Sequence, residues 1–199
     1  MRVPESSEFK GMNRKSILCA GILVLSAHLF SQDIIGLGTR WNDSFREWEI
    51  HTGDEWRTGT LELRWSLPRG LSGKEDWTEW DFRLGDTTAR IELKWADDPN
   101  LWEVRCLGVT VTARTTWNND FRQWKLSDGT HRINWQSRYG NIRDEWIVRE
   151  EDCGFFSVYT YWEGDPRDWV VVDELNADVS YAMRIALIFI AVFNSIPKV

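Results

Sequence analysis

Residues 124–135 read WKLSDGTHRINW, and this stretch decides the fold of the chain. Two apolar residues, Trp124 and Leu126, stand two apart before a Ser-Asp-Gly sequence, and Ile133 and Trp135 repeat the spacing after it. Alternation of apolar and polar residues is typical of a β-strand with one buried and one solvated face. Asp-Gly is a frequent hairpin turn. The stretch is therefore predicted to be a β-hairpin with both tryptophans on its buried face.

The same unit recurs along the chain. From Trp80 onward the tryptophans that begin a Trp-x-apolar triplet are spaced by 22, 22, 22 and 23 residues. The first interval, of 32 residues, also holds the Gly- and Pro-bearing segment 66–76, which is predicted to be a loop. The six markers are Trp48, Trp80, Trp102, Trp124, Trp146 and Trp169. Such a period indicates one supersecondary unit used several times.

Most tryptophans of the repeat are predicted to lie in the core. Residues of the same parity in a strand share a face, so we expect the six markers to be buried together with Trp65, Trp95 and Trp135. A buried indole removes about 150–250 Å² from water, so these side chains would dominate the core. Three further tryptophans fall outside the pattern and are the candidate ligand-binding residues, as platforms for a sugar ring or a partner: Trp41, Trp56 and Trp77.

The hairpins predict a closed barrel. Five hairpins, with one strand before the first marker and one after the last, give about twelve antiparallel strands. An open sheet of that size tends to curl or split, whereas closure removes both exposed edges. A sandwich and a propeller are the alternatives, although propeller blades need about 40 residues each, nearly twice this repeat.

The C-terminal segment changes periodicity. Residues 181–193 read YAMRIALIFIAVF, with Asp178 or Ser180 available as N-cap. Residues 185–193 are all apolar, and a helix that is apolar all round is buried in protein or in lipid. The helix would be about 21 Å long, shorter than a bilayer core of about 30 Å. Burial through the centre of the barrel is therefore favoured over a membrane anchor, with the charge of Arg184 reaching water at one end.

Three segments carry a family resemblance: FRQWKLSDGTHRINW (121–135), DEWIVREEDCGFFSVYTYW (144–162) and ADVSYAMRIALIFIAVF (177–193). Together they resemble the tubby C-terminal-like superfamily, and within it the LURP-one-related and phospholipid-scramblase-like proteins. The resemblance implies a twelve-stranded barrel threaded by a hydrophobic C-terminal helix over residues 34–196. Tubby-like proteins bind phosphoinositides through clustered basic residues. This chain has no such cluster, so no binding residue is carried over.

The N-terminal 32 residues differ from the rest. After Met12 come a basic start, an apolar run over 17–25 and small residues, the pattern of a secretory signal peptide. We therefore expect Met12 to be the true start, residues 1–32 to be an N-terminal extension and signal peptide, residues 33–199 to be one domain, and the protein to be periplasmic or extracellular. An uncleaved membrane anchor is the alternative, although the apolar run is shorter than the ~20 residues of a spanning helix.

Cysteine content leaves one question open. Cys19 lies in the predicted signal segment, which leaves Cys106 and Cys153 in the domain. In an oxidising compartment the two side chains form a disulfide if they lie within bridging distance. Otherwise each is a small buried hydrophobic residue.

Charge and motifs exclude several functions. The formal net charge is −7 and basic residues are interleaved with acids, which argues against nucleic-acid binding. The sequence has no HxxxH motif, Cys/His cluster or serine elbow, so no catalytic, cofactor or metal residue is predicted. Acid pairs such as Asp97/Asp98 and Asp144/Glu145 lie in predicted turns. These acid pairs are predicted to be solvated surface charges, and Ca²⁺ binding and glycoside hydrolysis are the alternatives.

We therefore expect an exported, non-enzymatic β-barrel that acts as a binding or scaffold module of the cell envelope. Its partner is not specified by the sequence; a lipid and an envelope protein are both considered. Two alternatives remain at this point. One is a phospholipid-interacting protein of the scramblase type, and the other is an envelope carbohydrate-active enzyme that uses loop carboxylates beside Trp41, Trp56 or Trp77.

Overall fold

The computed structural model describes residues 34–54, 57–65, 76–140, 143–148 and 153–197, and over these residues it forms a twelve-stranded antiparallel barrel with one helix. The predicted signal segment, residues 1–32, lies outside the described residues. The strands are β1 (Ile34–Trp41), β2 (Ser44–Thr52), β3 (Thr58–Leu63), β4 (Glu79–Leu84), β5 (Thr87–Leu93), β6 (Leu101–Cys106), β7 (Val109–Thr115), β8 (Gln123–Ser127), β9 (Arg132–Ser137), β10 (Glu145–Val148), β11 (Gly154–Thr160) and β12 (Asp168–Leu175), and the helix is α1 (Tyr181–Ser195).

The first and last strands close the barrel. Every strand pairs with its neighbours in sequence, and β1 also pairs with β12, so that Leu37 faces Ile50 on one side and Trp169 on the other. This meander leaves neither edge of the sheet exposed. The predicted fold class is confirmed: mainly β, a closed antiparallel barrel of repeated hairpins with a buried C-terminal helix.

The six marker tryptophans lie on the inner face of the barrel. Each is at most 2% exposed, and Trp135 is fully buried, as predicted. Five of the markers donate a hydrogen bond of 2.8–3.1 Å from Nε1 to the carbonyl oxygen three residues earlier: Trp48, Trp80, Trp124, Trp146 and Trp169. The bond gives the indole N–H a partner in an apolar core. It also fastens the segment before each of these strands to the barrel.

Helix α1 runs through the interior from one end of the barrel to the other. It begins where β8 joins β9, because the hydroxyl of its N-cap, Ser180, bonds Oδ2 of Asp128. It ends where β9 joins β10, because Arg143 donates to the carbonyl oxygen of Asn194 across 2.8 Å. Residues 185–193 are all buried. The predicted burial of an all-apolar helix inside the sheet is confirmed.

Aromatic side chains fill the space between helix and sheet. Phe189 and Phe193 stack with ring centroids 5.2 Å apart, and both meet Trp80 and Trp102 edge-on at 4.7–6.2 Å. An apolar void between α1 and strands β1 to β4 has a volume of about 10 Å³, the space of roughly one water molecule. The described core side chains of the strands and of residues 185–193 are buried around this void. Among the described residues, no helix combines the length and the apolar character needed to cross a bilayer.

Arg184 lies near one end of α1 as predicted, but its charge is paired with Asp173 and is only slightly exposed to water. Its Nε donates to Oδ2 of Asp173 across 2.7 Å, and its Nη2 donates to the carbonyl oxygens of Leu175 and Asn176. The two charged side chains are 14% and 15% exposed. The chain turns directly from β12 into α1, so the end of the last strand lies beside the first turn of the helix.

The two cysteines of the domain do not form a disulfide with each other, which answers the question that the sequence leaves open. Burial raises the pKa of the Cys106 thiol to about 11.

Candidate binding surface

Six exposed aromatic side chains surround one end of the barrel. Because successive strands run in opposite directions, all six connections from an odd-numbered to an even-numbered strand lie at the same end. Each connection has an aromatic residue at the point where the odd-numbered strand ends, and these residues are 41–68% exposed. We call this set the aromatic rim: Trp41, Trp65, Trp95, Trp117, Tyr139 and Trp162.

A simple spacing in the sequence marks the rim. In five of the six hairpin units the rim aromatic stands seven residues before the buried marker tryptophan, as Trp117 does before Trp124. The exception is Trp65, which is separated from Trp80 by the longer loop. The search for Trp-x-apolar triplets missed this second period. It assigned Trp41 to the residues outside the pattern and did not identify Trp117, Tyr139 or Trp162 as a group.

The prediction that Trp65 and Trp95 are buried is wrong. Both have the parity of the inward-facing residues of their strands, but β3 ends at Leu63 and β5 ends at Leu93, two residues earlier. Trp65 is 60% exposed and Trp95 is 62% exposed. Parity assigns a side chain to a face only while the strand continues, and beyond its last ladder residue the chain leaves the barrel wall.

Three of the connections that carry the rim are ordered by hydrogen bonds. The carbonyl oxygens of Trp95, Trp117 and Trp162 each accept from the backbone N–H three residues later, at 2.9–3.0 Å, which closes a β-turn. The aspartates that donate these bonds also accept a bond from the backbone N–H two residues later, as Asp120 does from Arg122. These are Asx-turns, which stabilise such connections locally. Trp95, Trp117 and Trp162 therefore project from turns that hydrogen bonds hold in place.

Neighbouring connections are also linked to each other. Asn100, 7% exposed, lies just before β6, and its Oδ1 accepts from the backbone N–H of Asn119 and from the hydroxyl of Thr115. Its Nδ2 donates to Oδ1 of Asn119 across 3.3 Å. A buried amide that is fully hydrogen-bonded rigidifies its surroundings. It fixes the turn of Trp95 relative to the turn of Trp117.

Some rim aromatics contact charged residues of the outer barrel wall. The indole N–H of Trp41 donates to Glu47, and that of Trp65 donates to Glu79. The guanidinium groups of Arg40, Arg64 and Arg138 lie 5.6–5.7 Å from the ring centroid of the aromatic residue that follows each of them. These are cation–π contacts on the outer edge of the rim. They orient the rings without burying them.

Two shallow clefts lie between adjacent turns of the rim. One, of about 420 Å³, separates the turns of Trp117 and Tyr139, and the other, of about 470 Å³, separates those of Trp162 and Trp41. The first cleft is lined chiefly by polar side chains, those of Asn118, Asn119, Asp120, Arg122 and Arg143. The second is lined by Asn42, Glu163, Asp165 and Arg167 together with Phe45, Pro166 and Pro197.

The acids of the turns are held in their charged form. Hydrogen bonds from the side chain of Arg122 lower the pKa of Asp120, and Arg167 lowers the pKa of Asp165 in the same way. The side-chain and backbone hydrogen bonds of Asn100 lower the pKa of Asp98. At neutral pH these carboxylates are hydrogen-bond acceptors.

The predicted candidate residues have three different positions. Trp41 belongs to the aromatic rim. Trp77 does not, because it is half-buried and packs on Trp80 with ring centroids 5.7 Å apart. Trp56 lies outside the described residues.

No group of three or more His, Cys, Asp or Glu side chains in the described part of the chain is arranged to hold a metal ion. Comparisons with protein-family models, with curated proteins and with solved structures gave no match for this chain.

Proposed function

We propose that this protein is a non-enzymatic binding module and that the aromatic rim is its contact surface. The observation that carries the proposal is the recurrence of an exposed aromatic residue at the same place in all six connections of one barrel end. Exposed apolar residues that are grouped in one place, unlike single scattered ones, mark interaction sites. Tryptophan and tyrosine are also the residues that dominate binding energy at interfaces.

The packed interior supports binding at the rim. A barrel that carries a small ligand inside needs a cavity of several hundred Å³, whereas the void between α1 and strands β1 to β4 measures about 10 Å³. Two clefts between rim turns are lined by residues that directly follow rim aromatics, such as Asn118 and Asn42. Because the turns of Trp95, Trp117 and Trp162 are already ordered, binding there would cost little conformational entropy of the protein.

The rim carboxylates favour binding over catalysis. A general acid in glycoside hydrolysis needs a raised pKa, whereas the pKa values of Asp98, Asp120 and Asp165 are lowered. Two of these acids are in bonds with an arginine two residues later. These hydrogen bonds stabilise the turns and the walls of the clefts.

The proposal places the module outside the cytoplasm, at the cell envelope, on the basis of the predicted signal segment over residues 17–25.

Exposed indoles on a rigid frame are suited to an extended or repetitive partner, because several weak contacts then act together.

A rim variant compared with a wall variant tests this function. We would replace Trp95, Trp117 and Trp162 by alanine, and in the control replace Phe155 and Tyr159, exposed aromatics of the β11 wall. Each protein is assayed against neutral polysaccharides, acidic polysaccharides, and vesicles of zwitterionic or anionic phospholipid. We expect at least one of these classes of ligand to bind the wild type and the wall variant but not the rim variant. Equal retention of all three proteins, or no retention by any class, would contradict the proposal.

A further inference from the structure

We propose that the aromatic rim binds a neutral polysaccharide, with each aromatic side chain as a platform for one sugar ring and the clefts between turns as the sites that bond its hydroxyls. This inference rests on the proposed binding function of the rim and names the ligand class. It follows from three features: what stands beside each aromatic, the charge of the rim, and the repetition of the unit.

Three of the six rim aromatics are followed directly by a side chain that bonds hydroxyls. Asn42 follows Trp41, Asn118 follows Trp117, and Glu163 follows Trp162, and all three line a cleft and are exposed. An apolar sugar face packs on an aromatic ring, while its equatorial hydroxyls bond to amides, carboxylates and guanidinium groups at the ring edge. An aromatic ring for stacking and a side chain that bonds hydroxyls are therefore adjacent in the chain at these three positions.

Charge at the rim disfavours an anionic ligand. The outermost turn residues include the acids Asp43, Asp97 and Glu163, all exposed. Two of the cleft arginines are engaged by carboxylates, since Arg122 bonds both oxygens of Asp120 and Arg167 bonds both oxygens of Asp165. Binding to phosphate or to an acidic lipid surface depends on clustered positive charge. A ligand without charge avoids the repulsion of the turn acids.

Repetition around the ring fits a polymer. Equivalent positions of adjacent hairpins are separated by two strand spacings, about 10 Å. Because one sugar ring is shorter than this spacing, neighbouring platforms are within reach of alternate rings of one polysaccharide chain. A single stacked ring binds weakly, but several subsites on a rigid frame raise the affinity for a polymer far above that for a monosaccharide.

The experiment is affinity electrophoresis of the purified protein in gels that contain hydroxyethylcellulose, xylan, β-1,3-glucan or dextran. Two variants remove the aromatics that flank one cleft each: Trp117→Ala with Tyr139→Ala, and Trp162→Ala with Trp41→Ala. A third, Asn118→Ala, removes a hydroxyl-bonding group and keeps every platform. The wall variant Phe155→Ala with Tyr159→Ala is the control, and near-ultraviolet circular dichroism checks that each variant is folded.

We expect at least one of the four polymers to retard the wild type and the wall variant. Each double rim variant should lose about tenfold in affinity, the effect of one or two lost aromatic stacks. Asn118→Ala should lose less than the double variants but more than the wall variant. In a parallel assay, saturating polymer should protect exposed indoles of the wild type from oxidation by N-bromosuccinimide.

Three outcomes would overturn the inference. The first is that none of the neutral polymers retards the wild type, and the second is that the rim variants are retarded as strongly as the wild type. The third is rim-dependent binding to phospholipid vesicles or to acidic polysaccharide without binding to any neutral polymer; in that case the binding function of the rim stands and only the ligand class is wrong. If the wild type binds neither polymers nor vesicles, both proposals fail together.

Discussion

The hydroxyl of Ser180 donates a 2.8 Å hydrogen bond to Oδ2 of Asp128, and its oxygen accepts from the backbone N–H of Met183. One residue thus caps α1 and ties it to the β8–β9 hairpin. The Asp128 side chain is only 4% exposed and also accepts from the backbone N–H groups of Thr130 and His131. Burial acts to raise the pKa of Asp128, but these hydrogen bonds outweigh it and hold the pKa below its ordinary value. The carboxylate therefore fixes the inserted helix to the sheet.

Replacing Asp128 by asparagine should lower stability in a pH-dependent way. A carboxyl group whose pKa is lowered by folding stabilises the protein fully above its unfolded pKa of about 3.9, and the contribution is lost as the pH falls from that value through the lower pKa of the folded state. We expect Asp128→Asn to cost about 1–3 kcal/mol at pH 7 and less at pH 3, measured by urea unfolding. Asp86→Asn, in the exposed β4–β5 turn, is the control and should leave stability unchanged. An equal cost of Asp128→Asn at both pH values would contradict this account.

Replacing only one member of the ion pair of Arg184 and Asp173 is predicted to lower the stability of the protein. Arg184→Met leaves a largely buried carboxylate without its partner, which typically costs about 3–5 kcal/mol. The double variant Arg184→Met with Asp173→Asn removes the uncompensated charge and should recover part of that loss. Urea unfolding of the two single variants and the double variant gives the coupling energy. A double variant whose loss equals the sum of the single losses would show that the two side chains do not interact.

The sequence predicted the architecture well because the architecture depends on periodic burial. Trp48 and Trp146 are core residues in the structure because a strict two-residue alternation surrounds them. Helix α1 is buried because no side of residues 185–193 is polar. Periodicity fails where an element ends, and for this reason Trp65 and Trp95 were predicted to be buried.

The rim and the long-range polar contacts were harder to predict. The seven-residue spacing of Trp117 and Trp124 is present in the sequence, but its meaning depends on six turns being at one end of a closed barrel. The bond between Ser180 and Asp128 joins residues 52 positions apart, and only the path of α1 through the barrel brings them together. Local patterns contain no information about such a pair.

Cys106 is predicted to be unreactive in the folded protein. Burial in β6 raises the pKa of its thiol to about 11, so only a very small fraction is thiolate at pH 8, and the thiolate is the nucleophile. We expect iodoacetamide at pH 8 to leave Cys106 unmodified in the native state and to modify it fully in urea, as read by peptide mass spectrometry. Cys153, which is partly exposed, is the internal comparison and should be modified first. Modification of Cys106 at the rate of a free thiol in the native protein would refute its burial.

Trp117 and Trp124, seven residues apart in one repeat, should affect stability very differently. Trp124 is 1% exposed and bonds the carbonyl oxygen of Phe121, so Trp124→Ala should cost about 3–5 kcal/mol through the cavity and the lost contacts. Trp117 is 68% exposed, and Trp117→Ala should change the free energy of unfolding by less than about 0.5 kcal/mol. The measurement is urea unfolding of both variants, followed by the polysaccharide assay of the folded one. If Trp117→Ala destabilised the barrel by several kcal/mol, the rim aromatics would be structural, and their exposure would no longer argue for a binding surface.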